Sequence, residues 1–172
     1  VVTNARKTRD RGFTVAGVAL GGHLICEFIH RNPAVQFRTT RYTHDAGVLA
    51  SIERFVALNS AIEVDLTGQV NAEQAAGSYV GAVGGAADFL RGAARSRGGL
   101  PIVALPSLAG GRSRIVSQLS GPVSTSRADA GLIVTEHGVA DLRGQPLSKR
   151  IRRMIDIAAP QFRAALEQEA NT

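Results

Sequence analysis

Residues 84–105 read GGAADFLRGAARSRGGLPIVAL, and this stretch decides the fold class. It opens on a glycine pair, continues with apolar side chains at helical spacing, and passes through a second glycine pair into the apolar run 100–105. The pattern predicts a helix over 86–97, followed by a tight turn and a buried strand. The side chains on one side of that helix are Phe89, Leu90, Ala93 and Ala94.

Similar patterns extend in both directions from this stretch. Apolar runs predict further strands over 13–20, 35–39, 55–66 with a break at Asn59–Ser60, 114–119 and 131–135. Helical spacing predicts helices over 24–29, 46–55 and 147–158, and a shorter one after Pro160. Because these strands alternate with helices and look apolar on both faces, we predict an α/β fold with an open, largely parallel sheet flanked by helices. We find no repeat or linker, so we expect residues 1–172 to form one domain or most of one.

The composition is that of a globular protein, with 44% hydrophobic and 20% charged residues. No apolar run approaches the roughly 20 residues that span a bilayer, so we expect no membrane partner. A net charge of +6 suits an anionic partner, but the 5% of aromatic residues offers few rings for stacking on bases, which argues against nucleic acid. The single cysteine, Cys26, excludes a disulfide framework and favours the cytoplasm, and we interpret it as a small buried apolar side chain.

A first candidate site is the glycine-rich turn at residues 77–85 and the start of the helix that follows it. Backbone N–H groups at such a turn point towards an anion, and the helix N-terminus adds a partial positive charge. The segment is not a P-loop, because no Gly-Lys-Ser/Thr follows, and it lacks the G-x-G-x-x-G spacing of a dinucleotide site. The alternative interpretation is close helix–sheet packing that requires small residues.

A second candidate is Glu136, which directly follows the predicted strand 131–135 and precedes His137. In open parallel sheets, ligands bind beyond the carboxyl ends of the strands. Glu136 is therefore well placed for a functional site. The alternative is a strand-end turn in which Asp141 and Arg143 make local hydrogen bonds.

Two other groups of charged residues are weaker candidates for a functional site. Glu63 and Asp65 share one face of a predicted strand, where they form either an acid/base pair or, more commonly, a solvated surface. Four basic residues of the last long helix form either a solvated helix face or a patch that attracts an anionic ligand. These basic residues are Lys149, Arg150, Arg152 and Arg153. The histidines lack ligand spacing, so we predict no metal.

Four separated segments, in this order, resemble the acetyl-CoA hydrolase / CoA-transferase family, which includes 4-hydroxybutyrate and succinate:acetate CoA-transferases. They are VVTNARKT (1–8), NSAIEVDLTGQVNAE (59–73), GGAADFLRGA (84–93) and TEHGVADLRG (135–144). The resemblance covers essentially the whole chain and implies the fold of the family's C-terminal domain.

The resemblance also implies a chemistry. A glutamate of the family attacks an acyl-CoA thioester, and an acyl-glutamyl anhydride and then a glutamyl-CoA thioester form, before a carboxylic acid or water completes the cycle. The loop formed by Gly84, Gly85, Ala86 and Ala87 then supplies N–H groups to the thioester oxygen and to CoA, which is a substrate. Glu136 matches an accessory glutamate. His44, in YTHDAG, stands where many family members carry an asparagine, which puts its catalytic role in question.

The family's nucleophilic glutamate lies shortly before the segment that matches residues 1–8, and no residue here corresponds to it. We therefore expect the chain to be the C-terminal part of a CoA-transferase or acetyl-CoA hydrolase, cut before Val1 and inactive alone. Its expected partners are an acyl-CoA, a small carboxylic acid and further copies of itself as a homo-oligomer. The alternative is a free-standing half domain that binds CoA, or pairs with another subunit, without chemistry of its own.

Overall fold

A computed structural model describes residues 3–171, so Val1 and Val2 of the first matched segment lie outside the described residues. The strands are β1 (Thr14–Ala16), β2 (Val35–Phe37), β3 (Val56–Ser60), β4 (Glu63–Asp65), β5 (Val70–Asn71), β6 (Gln74–Ala75), β7 (Ser78–Tyr79), β8 (Leu100–Ala104), β9 (Leu108–Ala109), β10 (Arg112–Ser113), β11 (Ile115–Val116), β12 (Leu132–Thr135) and β13 (Gly138–Asp141). The helices are α1 (His23–Ile29), α2 (Thr40–Thr43), α3 (Ala46–Ala50), α4 (Ala86–Arg95), α5 (Leu147–Asp156) and α6 (Pro160–Ala170).

The central sheet has four strands in the order β13-β12-β8-β3. β3, β8 and β12 are mutually parallel, and β13 returns antiparallel beside β12. The predicted α/β fold, with a parallel sheet flanked by helices, is confirmed. The remaining strands form four smaller sheets, which the sequence did not indicate.

Helix α4 packs against β3 and β8 and buries Leu90 and Ala93. At Gly92 it meets α3 so closely that an added Cβ would lie 2.4 Å from Leu49 Cβ, which explains a glycine inside this helix. The core continues across the sheet to the C-terminal helices. Its fully buried members include Val64, Val103, Ile115, Ile133, Ala140, Leu142 and Met154.

Glu63 and Asp65 lie on β4 of a three-stranded sheet, and both are buried rather than solvated. Asp65 Oδ1 accepts hydrogen bonds from the amides of Thr67 and Gln69 and from the Thr67 hydroxyl. Glu63 Oε1 accepts from the Asn71 side-chain amide and from the amide and hydroxyl of Ser120. Because both carboxylates are buried and hydrogen-bonded, the interpretation as a solvated surface is wrong, and nothing in this geometry makes them an acid/base pair.

β1, α1 and β2 form a parallel two-stranded unit that stands apart from the central sheet. The predicted strand 13–20 shrinks to three residues, and Val18 and Leu20 are exposed. Helix α1 buries none of its side chains, and Cys26 is exposed. The predictions of a buried strand and a buried cysteine are therefore wrong, because periodicity reveals an apolar face but not whether anything covers it.

The segment before β1 is fastened to α2 and to the residues just after α3. The Thr8 hydroxyl accepts a hydrogen bond from the Glu53 amide at 2.9 Å. Arg9 donates to the Tyr42 hydroxyl, and that hydroxyl donates to Asp10. These contacts make residues 8–10 part of the folded body.

The basic side chains of α5 divide into two pairs. Arg150 donates to the carbonyl oxygens of Thr67, Arg127 and Gln145, and Arg153 donates to that of Asp141. Lys149 and Arg152 are exposed. One pair therefore ties the helix to neighbouring loops, and only the other matches the predicted solvated face.

Other boundaries differ from the predictions. The predicted helix 46–55 ends at Ala50, the predicted strand 114–119 contributes only β11, and the run 55–66 splits into β3 and β4 in separate sheets. The closing helix α6 has 11 residues against 10 in α5, so it is not the shorter one. Among residues 3–171, no helix is long and apolar enough to cross a membrane.

Candidate functional site

The carboxyl edge of the central sheet brings the candidate residues into one region. Ser60, Ala104 and Val134 lie side by side in the register of β3, β8 and β12. The loop before α4 lies over the end of β3, and Glu136 follows the end of β12. Neighbouring strands are about 4.8 Å apart, so the ends of β3 and β12 are roughly 10 Å apart across β8.

The glycine loop leads into α4 without a side-chain cap. Gly85 is the N-cap residue, no side chain accepts a hydrogen bond there, and the first main-chain bond runs from Phe89 N to Gly85 O. Gly84, Ala86 and Ala87 line a small cavity of about 40 Å³ together with Ser60. The amides of the first turn are thus available to an anionic or carbonyl oxygen.

His44 packs directly on this loop. A methyl group at Gly85 would lie 2.1 Å from His44 Nε2, so only glycine permits the contact. The ring also meets Phe89 edge-on, with centroids 5.0 Å apart, and Nδ1 lies 2.9 Å from the Thr43 hydroxyl. The structure therefore brings together two separately predicted elements, His44 and the glycine loop.

His44 also lines a second, larger cavity. It has a volume of about 650 Å³ and lies between the β1 unit, α2, α3 and α4. Its apolar lining includes Val15, Val18, Val48, Leu49, Ile52, Phe55 and Phe89, with Lys7, Asp10 and Tyr42 among its polar members.

Glu136 is held by Ser107, a fully buried residue just beyond the end of β8. The Ser107 amide donates to Glu136 Oε2 at 2.8 Å, and its hydroxyl donates to Oε1 at 2.6 Å. These two bonds, first the hydroxyl and then the amide, lower the pKa of Glu136 to about 2. The side chain is half exposed, so it faces the edge of the sheet as a carboxylate at neutral pH.

This arrangement restricts the chemistry available to Glu136. A carboxyl with so low a pKa cannot donate a proton near neutral pH, but it can accept hydrogen bonds or stabilise a positive charge. Its neighbour His137 places Nε2 3.7 Å from Glu136 Oε1. The sequence alone did not identify Ser107; its position after the apolar run 100–105, at the same edge, is the only signal for it.

No group of three or more histidine, cysteine or acidic side chains suited to a metal ion occurs within residues 3–171. Asp141 and Arg143 form the local pair anticipated for a strand-end turn, with Arg143 Nη2 2.8 Å from Asp141 Oδ2. The Arg143 side-chain bond lowers the pKa of Asp141. The local turn formed by Asp141 and Arg143 and a functional site at Glu136 are therefore compatible, because they involve different residues.

Comparison with known proteins gives consistent matches. Residues 21–170 match the profile of the acetyl-CoA hydrolase/transferase C-terminal domain. The 4-hydroxybutyrate coenzyme A transferase of Clostridium kluyveri is 39% identical over 98% of this chain and 40% of its own length. RipA from Yersinia pestis superposes with a TM-score of 0.90 at 40% identity, over 99% of this chain and 38% of that one. A 4-hydroxybutyrate CoA-transferase from Porphyromonas gingivalis gives a TM-score of 0.82 at 36% identity, over 98% of this chain and 40% of that one. The chain thus spans about 40% of the length of these relatives.

Proposed function

The chain belongs to the acetyl-CoA hydrolase/transferase C-terminal domain family, and from this membership we propose that it binds acyl-CoA thioesters at the edge described above. In this proposal the first amides of α4 receive the thioester oxygen, and Glu136 is an accessory carboxylate. The observation that carries the proposal is the contact of His44 with Gly85, beside uncapped amides at the carboxyl edge of a parallel sheet.

The reaction proposed for the whole protein is transfer of CoA to a carboxylic acid, or hydrolysis of an acyl-CoA. The nucleophilic glutamate belongs to polypeptide that this chain does not include, and this domain contributes binding and oxyanion stabilisation. The choice between a carboxylic acid and water as acceptor depends on which of them reaches the reacting carbonyl. CoA acts as a substrate, and the scheme requires no metal.

Titration calorimetry of the 172-residue chain with acetyl-CoA tests the binding proposal. We expect saturable binding of one thioester per chain, and no exchange of CoA between acetyl-CoA and a carboxylic acid. Absence of binding would contradict the proposed site, and exchange at an enzyme-like rate would contradict the assignment of the nucleophile to other polypeptide.

A second candidate function is a non-catalytic, partner-dependent half domain. The exposed apolar side chains of the β1 unit favour it, because a two-stranded parallel sheet is rarely stable without further covering. Homo-oligomerisation, with acyl-CoA and a small carboxylic acid as the other partners, belongs to the first proposal. So does a cytoplasmic location, which the lone cysteine favours. Sedimentation of the chain with and without acetyl-CoA separates self-association from ligand binding.

A further inference from the structure

The bond pair between Ser107 and Glu136 engages both oxygens of one carboxylate. The Ser107 amide donates to Oε2 and its hydroxyl donates to Oε1, so a single residue supplies both donors. Bonds to an ionised acceptor are about twice as strong as neutral ones. Rotation of the carboxylate in either direction breaks at least one of them, so the pair defines one orientation.

Ser107 is itself rigidly held. None of its surface is exposed, and its carbonyl oxygen accepts a hydrogen bond from Arg114 N at 2.9 Å. This bond closes the base of the β9–β10 hairpin, whose strands pair between the two residues. The donors that face Glu136 therefore come from a closed loop beside the core rather than from a free surface residue.

Glu136 is anchored from its own side through Thr135. The Thr135 hydroxyl donates to Ile157 O at 2.7 Å and accepts from His137 N at 3.1 Å. Both ends of the Ser107–Glu136 pair are thus fixed before any ligand arrives, while the outer side of the carboxylate stays open. The side-chain entropy of orienting Glu136 is lost on folding rather than on binding.

We propose that Ser107 is a positioning residue of this site, which holds the Glu136 carboxylate as a fixed hydrogen-bond acceptor for a bound ligand. The free lone pairs suit neutral N–H or O–H donors, such as the amides and hydroxyl of the pantetheine arm of a CoA thioester. Where it names that ligand, the inference rests on the proposed function. Where it concerns the orientation and charge of Glu136, it stands on the geometry of Ser107.

The first test follows the Glu136 carboxyl by carbon NMR in the labelled 172-residue chain between pH 3 and pH 6, with the signal assigned through Glu136→Gln. The wild-type carboxyl is expected to remain ionised throughout. In Ser107→Ala, the carboxyl is expected to become measurably protonated towards the lower end of this range, because the hydroxyl bond that contributes most to its low pKa is lost. Ser113→Ala is the matched control, because it removes a 2.6 Å hydroxyl bond to Ile115 O in the same hairpin without touching Glu136.

If Ser107→Ala does not fold, the near-isosteric Ser107→Cys, a weak donor, is measured in its place. An unchanged titration in the folded variant overturns the inference.

The second test measures the affinity for acetyl-CoA at pH 7 in a double-variant cycle. We expect Ser107→Ala and Glu136→Gln each to weaken binding by about tenfold, and the double variant to lose no more than Glu136→Gln alone. Additive losses would mean that Ser107 acts on folding or ligand independently of Glu136, and would overturn its positioning role. If the wild type does not bind acetyl-CoA, the proposed function fails, while the titration still decides whether Ser107 controls Glu136.

Discussion

The imidazole ring of His44 occupies the space that a side chain at Gly85 would need. The Gly85 φ of −80° is open to any residue, so the requirement for glycine there comes from His44 and not from the backbone conformation. At Gly84, one residue earlier, the space beside the Cα is empty. Two adjacent glycines of one loop therefore have different reasons to be glycine, and they make a matched experimental pair.

We predict that Gly85→Ala destabilises the chain by about 1–3 kcal/mol and weakens acetyl-CoA binding, because the new methyl group displaces the ring or the loop. Gly84→Ala is expected to leave the free energy of unfolding nearly unchanged, because an added Cβ there meets nothing within 4 Å. Urea unfolding and calorimetry measure the two effects. The double variant His44→Ala/Gly85→Ala should recover part of the lost stability; no recovery would show that the ring is not the obstacle.

The low pKa of Glu136 predicts how the stability of the fold changes with pH. Its folded pKa, about 2, lies below the ordinary value of 4.5, mainly because of the Ser107 hydroxyl bond. A group with a lowered folded pKa stabilises the fold above its unfolded pKa and loses that contribution as the pH falls through the folded pKa. We expect the stability gap between wild type and Glu136→Gln to be full above about pH 4.5 and to close towards pH 2. Urea unfolding across this range measures it, and a gap that is constant with pH would contradict the assignment.

The sequence located the glycine loop, His44 and Glu136, but it could not show how they are held. Strand periodicity predicted a shared face for Glu63 and Asp65, yet it gave no sign of the backbone amides that donate to them. Ser107 lies 29 positions before Glu136, so no local pattern connects the two. Sequence patterns report spacing along an element, whereas these bonds depend on which loops the fold brings together.

Helix α5 shows how one amphipathic surface can include both structural and solvent-exposed cations. Arg150 and Arg152 have the same chemistry and stand two positions apart. The guanidinium of Arg150 reaches three backbone carbonyls in separate loops, and Arg152 is exposed. Charge pattern alone cannot separate them, because both lie outside the apolar stripe.

We predict that Arg150→Met lowers the free energy of unfolding by about 1–3 kcal/mol, because three partly buried carbonyls lose a charged donor while the apolar stem is retained. Arg152→Met is the control and should stay within about 0.5 kcal/mol of the wild type. Equal losses in the two variants, measured by urea unfolding, would mean that the carbonyl contacts contribute little.

Among the elements, α4, β8 and β12 were predicted closely because each presents one clear period to a single core. The short strands β5, β6, β7, β9 and β10 were missed, since two-residue hairpin strands carry no measurable periodicity. The turns that connect such strands require positive φ angles, as at Gly110 and Gly111 between β9 and β10.

Across the whole molecule, the apolar surface is distributed unevenly. The central sheet and the C-terminal helices share one core, whereas α1 exposes 81% of Leu24 and 57% of Phe28. Surfaces of this kind favour association or aggregation.

We therefore expect the double variant Leu24→Lys/Phe28→Lys to self-associate less than the wild type, with its free energy of unfolding within about 0.5 kcal/mol of the wild-type value. Sedimentation velocity over a range of concentrations compares the two chains. Val139→Lys, an exposed apolar position on β13, is the control for added charge alone. A wild type that is monomeric at all concentrations would contradict the prediction.

The hydrogen bonds of residues 8–10 have a practical consequence for where the domain may be divided. The conserved family profile starts at residue 21, after β1, although β1 pairs with β2 through Thr14–Val35 and Ala16–Phe37. A shortened chain that started at residue 21 would leave β2 without its neighbour and Glu53 N without the Thr8 hydroxyl. The start of the matched profile therefore falls inside a set of pairing and hydrogen-bond contacts rather than at their edge.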